Sequence, residues 1–169
     1  MFFALLLGLI EIGLYMNDYL TVANTVRGGA RVASASGNDI YADYGIVQAI
    51  NKESAAIPKA NIQYVVVYKA TAFGANPSSL CLGGTRVVGQ CNVYRPADLL
   101  KDKTHWGCKT GENLDDAWCP TTRVVSNSGT GTDYVGVYIK VTHPWVTKMF
   151  GAQKDISDQT VIRLEPQQF

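Results

Sequence analysis

The stretch MFFALLLGLIEIGLYM (1–16), running without a break into NDYLTVANTVRGGARVASASG (17–37), decides the architecture. The first segment holds one charge, Glu11, and every Lys and Arg of the chain lies at or beyond Arg27. As an α-helix at about 1.5 Å rise per residue, it is roughly 24 Å long. A spanning helix needs about 20 apolar residues. The segment is therefore short but sufficient if the polar Asn17 and Asp18 mark an interface, where the rings of Tyr15 and Tyr19 are favoured. Beyond it, apolar and small residues fall at Tyr19, Val22, Ala23, Val26, Ala30 and Ala33, in helical steps of three and four. Arg27 and Arg31 mark the opposite face, and Gly37 is a natural C-cap. The spacing predicts one helix of about 35 residues, apolar first and amphipathic after. A cleaved secretory signal fits poorly, because the apolar run has no basic n-region before it and no A-x-A site with a break after it.

The whole chain has 169 residues, enough for one domain or a small domain with an appended element. It is 47% hydrophobic and 17% charged, too apolar for a disordered chain. Lys plus Arg (15) nearly balance Asp plus Glu (14), which argues against a nucleic-acid partner. Asn38 or Asp39 can cap a second helix over 38–57, with the stripe Ile40, Tyr44, Val47, Ile50 and Ile57, ended by Pro58. Residues 61–70, NIQYVVVYKA, read as a strand, as does DYVGVYIKVTHPW (133–145). Between them TRVVGQC (85–91) and TTRVVS (121–126) read as short strands in a Gly- and Cys-punctuated region. A short helix or turn is expected at Val146–Gly151, then a last strand over SDQTVIRLEP (157–166).

The four cysteines, Cys81, Cys91, Cys108 and Cys119, fall in that irregular middle region. An even count in loops, beside a membrane-directed segment, reads as two disulfides. Three pairings are possible; the sequential one, Cys81–Cys91 with Cys108–Cys119, closes loops short enough to staple local hairpins. The rival is a zinc site from these cysteines and His105, but no C-x-x-C pair is present. Glu112, Asn113, Asp115 and Asp116 offer oxygen ligands for calcium without the D-x-D-x-D-G order, and a solvated loop is the simpler reading. With 2 histidines, no G-x-S-x-G elbow, no phosphate loop and no H-E-x-x-H, no catalytic residue, cofactor site or metal site is assigned, and a non-enzymatic role is expected.

The segment GLIEIGLYMNDYLTVANTVRGGARVASASG is similar to the N-terminal segment of TadE-like proteins, pilin-like components of bacterial tight-adherence pili. The carrying residues are Glu11-Ile12-Gly13, Asn24, and Arg27-Gly28-Gly29-Ala30-Arg31-Val32-Ala33. DYVGVYIKVTHPWVTKMFG and VIRLEP look, more loosely, like the C-terminal parts of larger TadE-like proteins. Family precursors carry a basic leader and usually another Glu before the apolar run, and neither precedes Met1 here. Either upstream residues are missing, or Met1 is a mature end exposed by a prepilin-type peptidase; the expectation is a mature chain beginning at or near Met1.

The resemblance implies an α+β pilin-like chain. Residues 1–36 form a transmembrane and filament-core helix, and 37–169 an extracellular head with a small antiparallel sheet stapled by disulfides. It further implies a homo-oligomeric helical filament, residence in the inner membrane before assembly, pilus assembly machinery as a partner, and adhesion or surface contact as the role. Met1, Glu11, Gly13, Arg27, Gly28, Gly29 and Arg31 are the expected assembly residues. The glycines would let helices approach closely. Glu11, costly to bury ionised, would find a partner such as Met1 or Asn17 of a neighbouring chain, or else reach lipid headgroups or water. Met1 of its own helix lies about 15 Å away. The alternative from another class is a membrane-anchored extracellular binding module that does not polymerise; an exported enzyme is a third.

Overall fold

A computed structural model describes residues 2–126 and 131–166. Helix α1 runs unbroken over Phe2–Ser36. Gly37 stops it with φ +55°, and its N–H donates to the Ala33 carbonyl at 3.3 Å. That left-handed cap is open to glycine without the Cβ penalty other residues meet. The two halves of α1 have different surroundings. Phe3, Leu5 and Leu9 are 78%, 69% and 71% exposed, whereas Val22, Val26, Ala30 and Ala33 are buried in the core. Arg27 and Arg31 face outward, as their spacing predicts. Tyr19 departs from the expected face and is exposed. The second half of α1 is thus core of the head as well as continuation of the apolar half.

Helix α2 spans Ala42–Glu53, starting later and ending earlier than its sequence pattern. Asp39 Oδ1 accepts the Tyr41 N–H at 2.7 Å, an Asx-type turn that delays the helix. At the other end the Ser54 N–H closes on the Ile50 carbonyl at 2.9 Å, before Pro58 is reached. Helices α1 and α2 pack closely where a glycine of one receives a branched side chain of the other. A Cβ on Gly29 would lie 3.0 Å from Ile50 Cγ1, and one on Gly45 would lie 3.4 Å from Val32 Cγ1.

Four strands follow: β1 (Ile62–Ala70), β2 (Cys91–Tyr94), β3 (Tyr134–Pro144) and β4 (Gln153–Arg163). They form one antiparallel sheet in the order β2-β1-β3-β4. The fold class is α+β, as expected. On β1, Val65 and Val67 face the helices with Val135, Val137, Ile139 and Val141 of β3. Tyr64, Val66 and Tyr68 face the other way, under the segment that carries the one-turn helix α3 (Ser79–Leu82). An inner strand covered on both faces is apolar throughout, which is why YVVVY shows no alternation.

Three expected elements differ. Residues 85–91 make only an isolated bridge between Val87 and Cys91, because both backbone bonds of that pair close the segment on itself; the strand is CNVY after it. TTRVVS forms no strand and begins in a 3-10 turn at Pro120–Thr122. Strand β4 starts at Gln153, before the expected Ser157; Val146–Gly151 is a turn, one of the two forms expected there.

The disulfides are Cys81–Cys91 and Cys108–Cys119, with Cα separations of 6.3 and 5.2 Å. Their formation consumes the thiolates that the zinc alternative needs. Under the second bridge lies a buried polar network. Arg123 and Asp43, both side chains 0% exposed, form an ion pair. Asp43 also accepts from Tyr94 Oη at 2.5 Å and Asn92 Nδ2 at 2.9 Å. The Arg123 guanidinium stacks over the Trp118 ring at 4.3 Å. Asp115 accepts the Gly107 and Cys108 N–H groups, and burial pushes its carboxyl up from the usual range. The acidic residues of the calcium alternative are therefore already engaged: Asp115 with backbone, Asp116 with Arg86 and with the Gly111 N–H.

Candidate functional site

Among the described residues α1 is the one helix long and apolar enough to cross a membrane, by length and composition. Its apolar half projects past the sheet, and only one stripe of it is covered. Gly8, Glu11, Tyr15, Asp18 and Val22 recur at steps of three and four, so they share one face of the helix. That face meets the end of β3 and the turn leading to β4. His143 Nδ1 donates to Asp18 Oδ2 at 2.6 Å. Tyr15 stacks on Trp145 with centroids 5.4 Å apart and meets the His143 ring edge-on at 5.5 Å. Trp145 in turn packs on Phe150 at 5.2 Å, and Phe150 reaches within 4.0 Å of where a Gly8 Cβ would stand.

Glu11 lies in the middle of this contact, 1% exposed. Its Oε1 accepts the backbone N–H of Thr147, at the tip of the β3–β4 turn. Its Oε2 is buried without a hydrogen-bond partner among the described residues. The expected partners were a neighbouring chain, headgroups or water; the structure supplies one from the same chain. That bond meets part of the need a buried carboxylate has for hydrogen-bond partners.

The remaining assembly residues separate by location. Met1 lies outside the described residues. Gly13 faces away from the head, and a Cβ there would meet nothing within 4 Å. Gly28 and Gly29 point inward: added Cβ atoms would press on Glu53 Cγ at 3.0 Å and on Ile50 and Val137. The helix approached at these two glycines is the chain's own α2. Arg27 and Arg31 are exposed on the outer face of α1.

Sequence reasoning missed Asp18, His143, Trp145, Thr147 and Phe150 as one cluster. Two signals pointed to it. Glu11, Tyr15 and Asp18 share a helical face with Val22, and WVTKMFG is too apolar for a turn that meets only water.

The family model described as TadE-like protein matches residues 1–31. No curated protein and no solved structure matches the chain. The match covers Glu11, Gly13, Arg27, Gly28, Gly29 and Arg31, and ends there. The more loosely similar C-terminal stretch lies outside it. The N-terminal helix is therefore similar to that of TadE-like, pilus-related proteins, and its apolar half has the character of a membrane anchor.

Proposed function

We propose that this chain is a pilin-like structural subunit of a Tad-type pilus. In this reading α1 holds the subunit in the inner membrane until a prepilin-type peptidase and the assembly machinery have acted. It then packs against copies of itself in the core of an extracellular filament serving adhesion or surface contact. The observation that carries the reading is the uncovered half of α1. Phe2, Phe3, Leu5 and Leu9 are each about 70% exposed or more on a helix that the head grips by one stripe. So large a contiguous apolar surface needs lipid or other copies around it. The similarity of residues 1–31 to TadE-like proteins supplies the pilus.

A second reading has one observation in its favour. Glu11 already has a partner for Oε1 in its own chain, so that oxygen needs no neighbour. A membrane-anchored extracellular binding module would use the same contact. Gly13→Leu separates the two, because the outward position leaves the head untouched. Leu in place of Gly improves helix propensity by about 1 kcal/mol and adds apolar surface. An anchor keeps full membrane occupancy and surface display. A filament subunit keeps membrane occupancy but loses sheared filaments, since a side chain now fills the space between close-packed helices. Unchanged filament yield and regularity would favour the anchored module.

A further inference from the structure

We propose that the β3–β4 tip, Trp145–Ala152, enters the membrane together with α1 and is a second lipid-inserting element of the chain. The proposal rests on the membrane-borne α1 of the reading above and adds to it a part of the head. Its basis is depth. His143 is level with Asp18, Trp145 with Tyr15, Thr147 with Glu11, and Phe150 with Gly8. From Asp18 to Gly8 the helix rises about 15 Å. The tip therefore descends that far beside the helix, past the polar Asn17–Asp18 boundary. Any bilayer that takes up the apolar half of α1 also meets the tip.

The tip is built for that medium. Val146, Met149 and Phe150 are 75%, 51% and 51% exposed, and the single charge from Trp145 to Ala152 is Lys148. A turn facing water would carry polar residues in place of Val146, Met149 and Phe150. The Lys148 stem is long enough to carry its ammonium back toward the headgroups. Between the tip and the helix, Ala4, Leu5, Leu9, Ile12, Met149 and Phe150 line an apolar groove of about 430 Å³. Its shape and lining suit a lipid acyl chain.

Irregular backbone at membrane depth survives only where its polar groups are satisfied within the protein. The Trp145 N–H donates to the Ala152 carbonyl at 3.1 Å and the Gly151 N–H to the Lys148 carbonyl at 3.2 Å. The Met149 N–H reaches Thr147 Oγ1 at 3.4 Å. The Thr147 N–H goes to Glu11. Glu11 thus acquires a task on this account: it is the acceptor for the Thr147 N–H at the tip.

The test uses the full chain, with its disulfides intact, in vesicles of phosphatidylethanolamine and phosphatidylglycerol. Three single added cysteines carry the nitrobenzoxadiazole fluorophore: Val146→Cys at the tip, Leu9→Cys on the helix, and Phe73→Cys at the opposite end of the sheet. All three positions are exposed, so labelling leaves the core intact. The expected result is a blue-shifted label at 146 that resists dithionite and is quenched by brominated acyl chains, like that at 9, while the label at 73 is bleached. Protection at 9 with bleaching at 146 overturns the proposal and leaves the membrane helix standing. Bleaching at both overturns the membrane helix and the tip with it. Protection at 146 in lipid-free assembled protein, with bleaching in vesicles, assigns the surface to a second copy and also overturns it.

Discussion

Asp115 shows at the residue scale how the Cys-rich region holds its shape without regular structure. Its carboxylate gathers the Gly107 and Cys108 N–H groups beside the buried Arg123–Asp43 pair. Asp115→Ala should cost about 1–3 kcal/mol in chemical denaturation, because two buried donors lose their acceptor. Asp115→Asn keeps an acceptor and should cost less. The pH response then has a definite sign. Burial raises the folded-state pKa of Asp115. Such a carboxyl contributes stability that is complete below its ordinary pKa and is lost as pH rises through the raised one. Relative to Asp115→Asn, the wild type should therefore gain stability as the pH falls from neutral into the carboxylate range, and denaturation curves across that range check it. Gly136 gives a second case. The Tyr68 ring lies over it, and a Cβ would stand 2.1 Å from the nearest ring atom. Gly136→Ala must displace that ring, whose hydroxyl donates to the Ala75 carbonyl at 2.8 Å. Overpacking of this kind costs about 1–3 kcal/mol, readable as a lowered denaturation midpoint.

Elements differ in how plainly the sequence announces them. The apolar run, the three-and-four spacing and Gly37 are local signals, and α1 follows them to its last residue. Strands β1 and β3 are legible for the same reason, through β-branched and aromatic runs. Strand β2 is not: its four residues, CNVY, are too few to make a pattern, and the Cys81–Cys91 bridge and the Asn92 contacts to Asp43 and Trp118 hold them in place. Arg123 and Asp43 look like surface charges in the sequence and meet only through tertiary structure. The cluster at Glu11 is similar, since its partners lie more than 120 residues away along the chain. The disulfides are the staples of this irregular region. Reducing them should destabilise the head by about 2–3 kcal/mol per bridge. Circular dichroism should then show helix signal from α1 persisting after the near-ultraviolet signal of the head has weakened. Intact-mass detection of free thiols in the native protein would contradict the pairing.

The whole molecule joins two surfaces made for different surroundings. The head closes its core around the second half of α1, two helices against one face of a four-stranded sheet. The first half of α1 leaves that core, and the β3–β4 tip follows it. Gly28 and Gly29 are used inside the head, so bulky substitutions there test folding, whereas Gly13 on the open face tests assembly. On the proposed filament reading, that division assigns helix packing between copies to the N-terminal half and not to the glycine pair. Cryo-electron microscopy of filaments sheared from cells expressing the chain tests this most directly. The account predicts filaments in which this chain repeats, with residues 2–16 buried against their copies in the core and the heads outside. Filaments without the chain, while all of it stays in the membrane fraction, would contradict it.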